Sequence, residues 1–157
     1  YPHLYDEFYG GKEVDAQKYD EESIVYTMLV GMSGVLYLSG RIEKATSLGK
    51  DLIMEGVECY KRIRGITARS YPTFPNGFAR IWEKEKPVVI LYREEGSSKG
   101  LLFVWRQEGE EEIVIPVRAK KAVRLYPQKA EEEAVCGDTI KVTLEKPYMG
   151  RLFQIEF

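Results

Sequence analysis

The chain has 157 residues, 44% of them hydrophobic and 31% charged, an ordinary balance for one globular domain or one and a half small ones. Lys and Arg number 23 against 25 Asp and Glu, a formal net charge of −2; without a positive field for phosphates, nucleic acid is set aside as a partner. Cys59 and Cys136 are too few for a disulfide scaffold and fit a reduced compartment, and the single His3 leaves almost no room for a His-based metal site or a Ser-His-Asp triad. No metal and no cofactor is expected.

Residues 1–19 read as a loop, broken by Pro2, Gly10 and Gly11 and punctuated by Tyr1, Tyr5, Phe8, Tyr9 and Tyr19. The chain opens at Tyr1 with neither Met nor a signal-peptide pattern, so it is expected to be a processed product or a piece of a longer protein, placed in the cytoplasm. Asp20, Glu21 and Glu22 put carboxylates where a helix N-terminus favours negative charge. The helix expected over 23–33 is apolar nearly all round and must be covered on several faces. Its apolar core, 24–32, is the longest such stretch and far too short to span a bilayer, so no membrane partner is expected. Val35, Leu36, Tyr37 and Leu38, bounded by Gly34 and Gly40, suit a strand buried on both faces of a parallel sheet.

A second helix starts with Ser47 as N-cap and carries Leu48, Leu52, Ile53, Val57, Tyr60 and Ile63 at three- and four-residue spacing. Lys61, Arg62 and Arg64 oppose the dipole in its last turn, and Gly65 is its expected stop. Beyond it the texture changes to short alternating runs. Strands are expected at 78–82, 88–93, 101–107, 113–118, 123–126, 139–144 and 151–157, separated by turns such as Pro75-Asn76-Gly77 and Glu108-Gly109. This spacing predicts an antiparallel β-sandwich or barrel, and the sandwich is the expectation carried forward. The overall expectation is an α+β chain: a helical segment with one buried strand over 1–68, then the sandwich over 69–157.

Few residues carry chemistry. The acids Asp6, Glu7, Glu13, Asp15, Asp20, Glu21 and Glu22 cluster near the front, but 20–22 are explained as helix-start charges, and Glu110–Glu112 and Glu131–Glu133 read as solvated turns. Trp82, Tyr92, Phe103, Trp105, Tyr126 and Tyr148 lie on or beside expected strands. A row of exposed rings would bind sugars by stacking, but large aromatics in sandwiches are more often core, and the register of Trp105 with Leu101 and Phe103 favours burial. There is no G-x-S-x-G, Walker A loop, C-x-x-C or H-E-x-x-H, and Cys59, on a helix without a nearby His, has a packing role. In a barrel, residues just past a strand's carboxyl end face the active site. Ser39, Gly40 and Arg41 alone have that positional reason to bind substrate, and a plain strand-to-helix turn explains them equally well.

The order of parts resembles a known enzyme group. The segment from Ser23 through Gly31-Met32-Ser33-Gly34 to Leu38-Ser39-Gly40 is similar to the barrel end of α-galactosidase-type enzymes. Tyr60, Lys61 and Arg64 match the Tyr-Lys-x-x-Arg pattern of the final barrel helix in glycoside hydrolase family 36. Phe103-Val104-Trp105-Arg106 and Gly150-Arg151-Leu152-Phe153 resemble pieces of that family's C-terminal antiparallel domain. The resemblance implies a retaining hydrolase of terminal α-linked galactose that uses two aspartates, in contexts like Lys-Trp-Asp and Arg-x-Ser-Asp. Neither occurs here, so no catalytic residue carries over. The implied role is the C-terminal part of such an enzyme: the end of its (β/α)8 barrel and a sandwich buttress, inactive alone, reaching an α-galactoside through the parent enzyme. An all-apolar helix and strand outside their barrel would expose apolar surface, so the isolated chain is expected to self-associate. A carbohydrate-binding module, marked by exposed coplanar rings among Trp82, Tyr92, Trp105 and Tyr148, and a protein-interaction domain are the alternatives.

Overall fold

Asp20 caps the first helix, its carboxylate accepting the Ser23 N–H at 2.9 Å and the Ser23 hydroxyl at 2.7 Å. Helix α1 then runs over Glu21–Met32. The structure is a computed structural model that describes residues 20–38, 42–128 and 134–157. Although α1 is apolar nearly all round, Val25, Met28, Leu29 and Met32 form one fully buried stripe at helical spacing, while Val30 faces solvent.

After a 3₁₀ turn at Ile42–Lys44, helix α2 spans Ser47–Arg69. Its cap is Thr46 rather than Ser47: the Thr46 hydroxyl accepts the Gly49 N–H at 3.0 Å. The buried stripe is Gly49, Leu52, Gly56, Cys59 and Ile63, so Leu48 turns outward. Two of these are glycines because α1 crosses here. A Cβ on Gly49 would stand 2.9 Å from the Ile24 Cδ1, and one on Gly56 would stand 2.6 Å from the Met28 Cε. Gly65 does not stop the helix; Ile66 still packs on the core, and the chain leaves α2 at Ser70, just before Pro72.

Among the described residues eight strands follow: β1 Pro72–Thr73, β2 Val88–Tyr92, β3 Lys99–Trp105, β4 Glu112–Ile115, β5 Lys121–Tyr126, β6 Ala134–Val135, β7 Ile140–Thr143 and β8 Gly150–Glu156. Every pairing among the described residues is antiparallel, in a five-stranded sheet of order β1-β2-β3-β8-β5 and a three-stranded sheet of order β4-β7-β6. The fold is α+β, with two helices and two antiparallel sheets among the described residues.

The larger sheet is covered on both faces, and side-chain alternation sorts them. Tyr92, Leu101, Phe103, Trp105, Tyr126 and Leu152 face α1 and α2 and share one core with the helical stripes. Val89, Leu91, Leu102, Val104, Phe153 and Ile155 face the other way, into a second core with Ile113, Ile115, Ile140 and Val142 of the smaller sheet. Helices, central sheet and second sheet thus form three layers, and the helical residues have no core separate from the sheet.

Four expectations about strands are also corrected. Residues 35–38 form no strand: Val35 is 85% and Tyr37 80% exposed, and only Leu36 packs inward, over Gly31. Strand-forming side chains become a strand only where a ladder is available, and no described strand lies alongside this run. Residues 78–82 form no strand: a turn that closes on the Phe74 carbonyl, with Gly77 at φ +73°, precedes the run, and a second turn at 80–83 ends it, where the Glu83 carboxylate accepts the Arg80 N–H at 2.8 Å. The strand expected over 113–118 ends at Ile115, since Pro116 has no N–H to continue the ladder. The segment expected to begin at Val123 pairs from Lys121 onward, opposite Glu156.

Candidate functional site

Ser39, Gly40 and Arg41, the positions singled out for substrate contact, lie outside the described residues, as do His3 and the acids Asp6, Glu7, Glu13 and Asp15. Residues 35–38 lead directly to that segment. The Tyr60 hydroxyl donates to the Gly34 carbonyl at 3.4 Å, and the Tyr92 hydroxyl donates to the Ser33 carbonyl, so the end of α1 is tied both to α2 and to the sheet.

The acids at the front of α1 do structural work. Asp20 is the helix cap, and its hydrogen bonds from Ser23 hold its carboxyl below the usual value. Glu22 makes a contact that sequence reasoning missed: both its oxygens accept from the Arg151 guanidinium, at 2.6 and 3.0 Å. Arg151 is buried at the start of β8 and also donates to the Gly150 carbonyl at 2.8 Å. A forked guanidinium matches a carboxylate in two places at once, so this pair fixes α1 across the sheet. The pattern Gly-Arg-Leu-Phe shows an arginine amid apolar residues, which was the available signal for a buried charge in need of a partner.

The six aromatics divide four to two. Tyr92, Phe103, Trp105 and Tyr126 are core. Phe103 lies between Trp105, stacked at 5.8 Å, and Tyr92, edge-on at 5.8 Å. The Trp105 Nε1 donates to the Tyr26 carbonyl at 3.4 Å, and the Tyr126 hydroxyl donates to the Leu52 carbonyl at 3.1 Å, with burial pushing that phenol well up. Of the four rings that would mark a sugar platform, only Trp82 and Tyr148 are exposed.

Those two sit at one end of the larger sheet, where the segment 74–87 enters β2. Two consecutive turns shape it, closed by the Glu83 N–H on the Arg80 carbonyl at 2.9 Å and the Lys86 N–H on the Glu83 carbonyl at 3.1 Å. Ile81 and Trp82 occupy the tip of the first and are 90% and 73% exposed. The Arg80 guanidinium lies 5.7 Å from the Trp82 ring centre. The Glu108 N–H bonds the Lys84 carbonyl at 2.9 Å, and a Cβ on Gly109 would lie 1.9 Å from the Glu85 carbonyl oxygen, so the 108–109 turn is seated against this segment.

The Glu108 carboxylate accepts the Tyr148 hydroxyl at 2.7 Å and lies 3.4 Å from the Lys84 ammonium. The Tyr148 bond holds the Glu108 carboxyl below its usual value, and the same bond raises the phenol, so near neutral pH the pair is carboxylate and phenol. Tyr148 is held at φ 59°, an uncommon conformation for a residue with a side chain, with its ring 6.4 Å from Tyr26. The Glu108, Lys84 and Tyr148 cluster offers fixed charges and a phenol: hydrogen bonding rather than bond cleavage.

Cys59 is fully buried on α2, and burial pushes its thiol up, which fits packing and opposes nucleophilic use. Among the described residues no three of His, Cys, Asp and Glu come together to hold a metal ion, and no helix is long and apolar enough to cross a membrane. No family model, curated protein or solved structure matches the chain.

Proposed function

We propose that the chain is the C-terminal portion of an α-galactosidase-like retaining glycoside hydrolase, close to glycoside hydrolase family 36. In that role α1, residues 35–38 and α2 complete the enzyme's barrel. The two facing sheets serve as a β-sandwich buttress, and the catalytic aspartates belong to another part of the same enzyme. The observation that carries the proposal is the run Val35-Leu36-Tyr37-Leu38. It has the composition of an interior strand, follows a buried helix and precedes an amphipathic one, yet belongs to no strand here and turns Val35 and Tyr37 to water. Such a run is explained if its ladder partners are strands supplied by the remainder of a barrel. Ser39, Gly40 and Arg41 would then follow it to the substrate face.

The same exposed apolar residues, with Phe78, Ile81 and Trp82, supply the surface through which the isolated chain would associate with itself. The test is hydrolysis of nitrophenyl α-galactoside by the 157-residue chain. The chain alone should release no nitrophenol above background; turnover that scales with its concentration contradicts the proposal.

A further inference from the structure

We infer that Asn76 is a self-modification site: loss of its side-chain amide as ammonia releases the segment 74–87 from strand β4. The inference goes beyond the hydrolase proposal and does not depend on it. Asn76 is the chain's one asparagine, and Gly77 follows it. The Asn76 Nδ2 donates to the Val114 carbonyl at 2.8 Å, a contact between positions 38 apart. Strand β4 ends its sheet, with β7 on one side only. The Glu111 carbonyl accepts the Leu144 N–H, so by alternation the Val114 carbonyl points to the free side. Asn76 therefore fills a ladder position that no described strand occupies, and so holds the segment to β4. Its Oδ1 is buried without a partner among the described residues, so the side chain serves there as a donor.

The pair Asn76-Gly77 carries its own chemistry. Glycine has no side chain to crowd its nitrogen, so the Gly77 nitrogen is the least hindered attacker the Asn76 Cγ could be given. In the reaction the Gly77 nitrogen loses its proton to hydroxide and bonds to Cγ. The Cγ–Nδ2 bond breaks, the departing nitrogen takes a proton from water and leaves as ammonia, and a cyclic imide closes. Water then opens the imide at one carbonyl to give aspartate, or at the other to give isoaspartate, whose main chain runs through Cγ. Either product puts an acceptor-only carboxylate where the donor stood, facing the Val114 carbonyl.

The fold sets the pace. The Gly77 N–H donates to the Phe74 carbonyl at 2.8 Å, so both reacting groups are engaged while the turn is closed. The Lys86 ammonium, on the Phe78 carbonyl at 2.9 Å, braces the residue that follows. Conversion therefore follows local opening of the turn, and it runs one way.

Trypsin frees residues 70–80 as one peptide, between Arg69 and Arg80. When the folded chain is incubated at mildly alkaline pH, that peptide should gain about 1 Da and split into aspartate and isoaspartate forms. The rate should rise with pH, rise severalfold in Lys86→Ala, and be at least about tenfold higher in concentrated urea. The converted protein, separated by its extra negative charge, should exchange amide hydrogens in 74–87 about tenfold faster, the factor for one lost hydrogen bond. Asn76→Asp should show that faster exchange from the start, with circular dichroism checking that both variants keep the fold.

A folded chain that stays unconverted while the urea sample converts overturns the modification. Equal rates folded and in urea, or an unchanged rate in Lys86→Ala, overturn the control by turn opening. Converted protein or Asn76→Asp with unchanged exchange in 74–87 overturns the release from β4.

Discussion

Truncating Phe103 to alanine should test whether the helices and the central sheet fold as one unit. Phe103 is 0% exposed, with Trp105 stacked on one side and Tyr92 edge-on at the other. Replacing a buried Phe by Ala costs about 3–5 kcal/mol, from lost transfer energy and the cavity left behind. Two ring contacts are lost as well, each carrying about 0.5–1.5 kcal/mol beyond area. The site has little freedom to collapse, because helices cover one face of the sheet and the second sheet covers the other. The upper part of the range is therefore expected, about 4–5 kcal/mol, a large share of the roughly 5–15 kcal/mol that holds a typical domain.

The assay is urea unfolding followed by ellipticity at about 222 nm for the helices and by emission of Trp105 for the sheet. With a slope of about 1–3 kcal/mol per molar urea, the midpoint should fall by at least about 1.3 M. Both probes should move together. A loss below about 2 kcal/mol, or a helical transition that separates from the Trp105 transition in the unsubstituted chain, would refute the shared core.

Gly150→Ala should destabilise by about 1–3 kcal/mol, because the added methyl would meet the Leu29 Cδ1 at 2.8 Å and the Trp105 Cδ1 at 2.9 Å; an unchanged thermal midpoint would show that α1 lies farther from β8. Asp20→Ala should cost about 1 kcal/mol at neutral pH. Since the folded Asp20 carboxyl is held below its ordinary value, its contribution is fully present above the unfolded value of about 3.9 and is lost as pH falls through the lower folded one. Paired denaturation curves should therefore converge in acid, and Asp20→Asn should flatten that dependence. With Cys59 buried and Cys136 half-buried, a thiol reagent should consume Cys136 first in native protein, and Cys59 only on unfolding.

Both helices were legible because local signals agree with burial. Asp20 supplies a cap with carboxylates after it, and α2 repeats apolar residues on one side. β2, β3, β7 and β8 were legible for the same reason. The errors fall where context outweighs composition. The run 35–38 has the continuous apolarity of a doubly buried strand, but here that environment belongs to β3, which has a layer on each face. Residues 78–82 are equally strand-like in composition, but turns at 74–77 and 80–83 bracket the run, the second held by the Glu83 carboxylate on the Arg80 N–H.

Much the same holds for the site. The register of Trp105 with Phe103 correctly signalled core, whereas the meeting of Glu108 with Lys84 and Tyr148 comes from long-range seating of one turn on another, which no local pattern encodes. The Glu22–Arg151 pair joins positions 129 apart and was invisible to spacing.

The most direct measurement is nitrophenol release from nitrophenyl α-galactoside by a polypeptide that joins this sequence to the barrel portion the proposal assigns to the parent enzyme, compared with the same polypeptide bearing Val35→Asp. The proposal predicts turnover with retained anomeric configuration, and loss of that turnover by at least about a hundredfold when a charge enters the strand-like run and breaks its ladder environment. Absence of turnover by the longer polypeptide, or full activity of Val35→Asp, would contradict it.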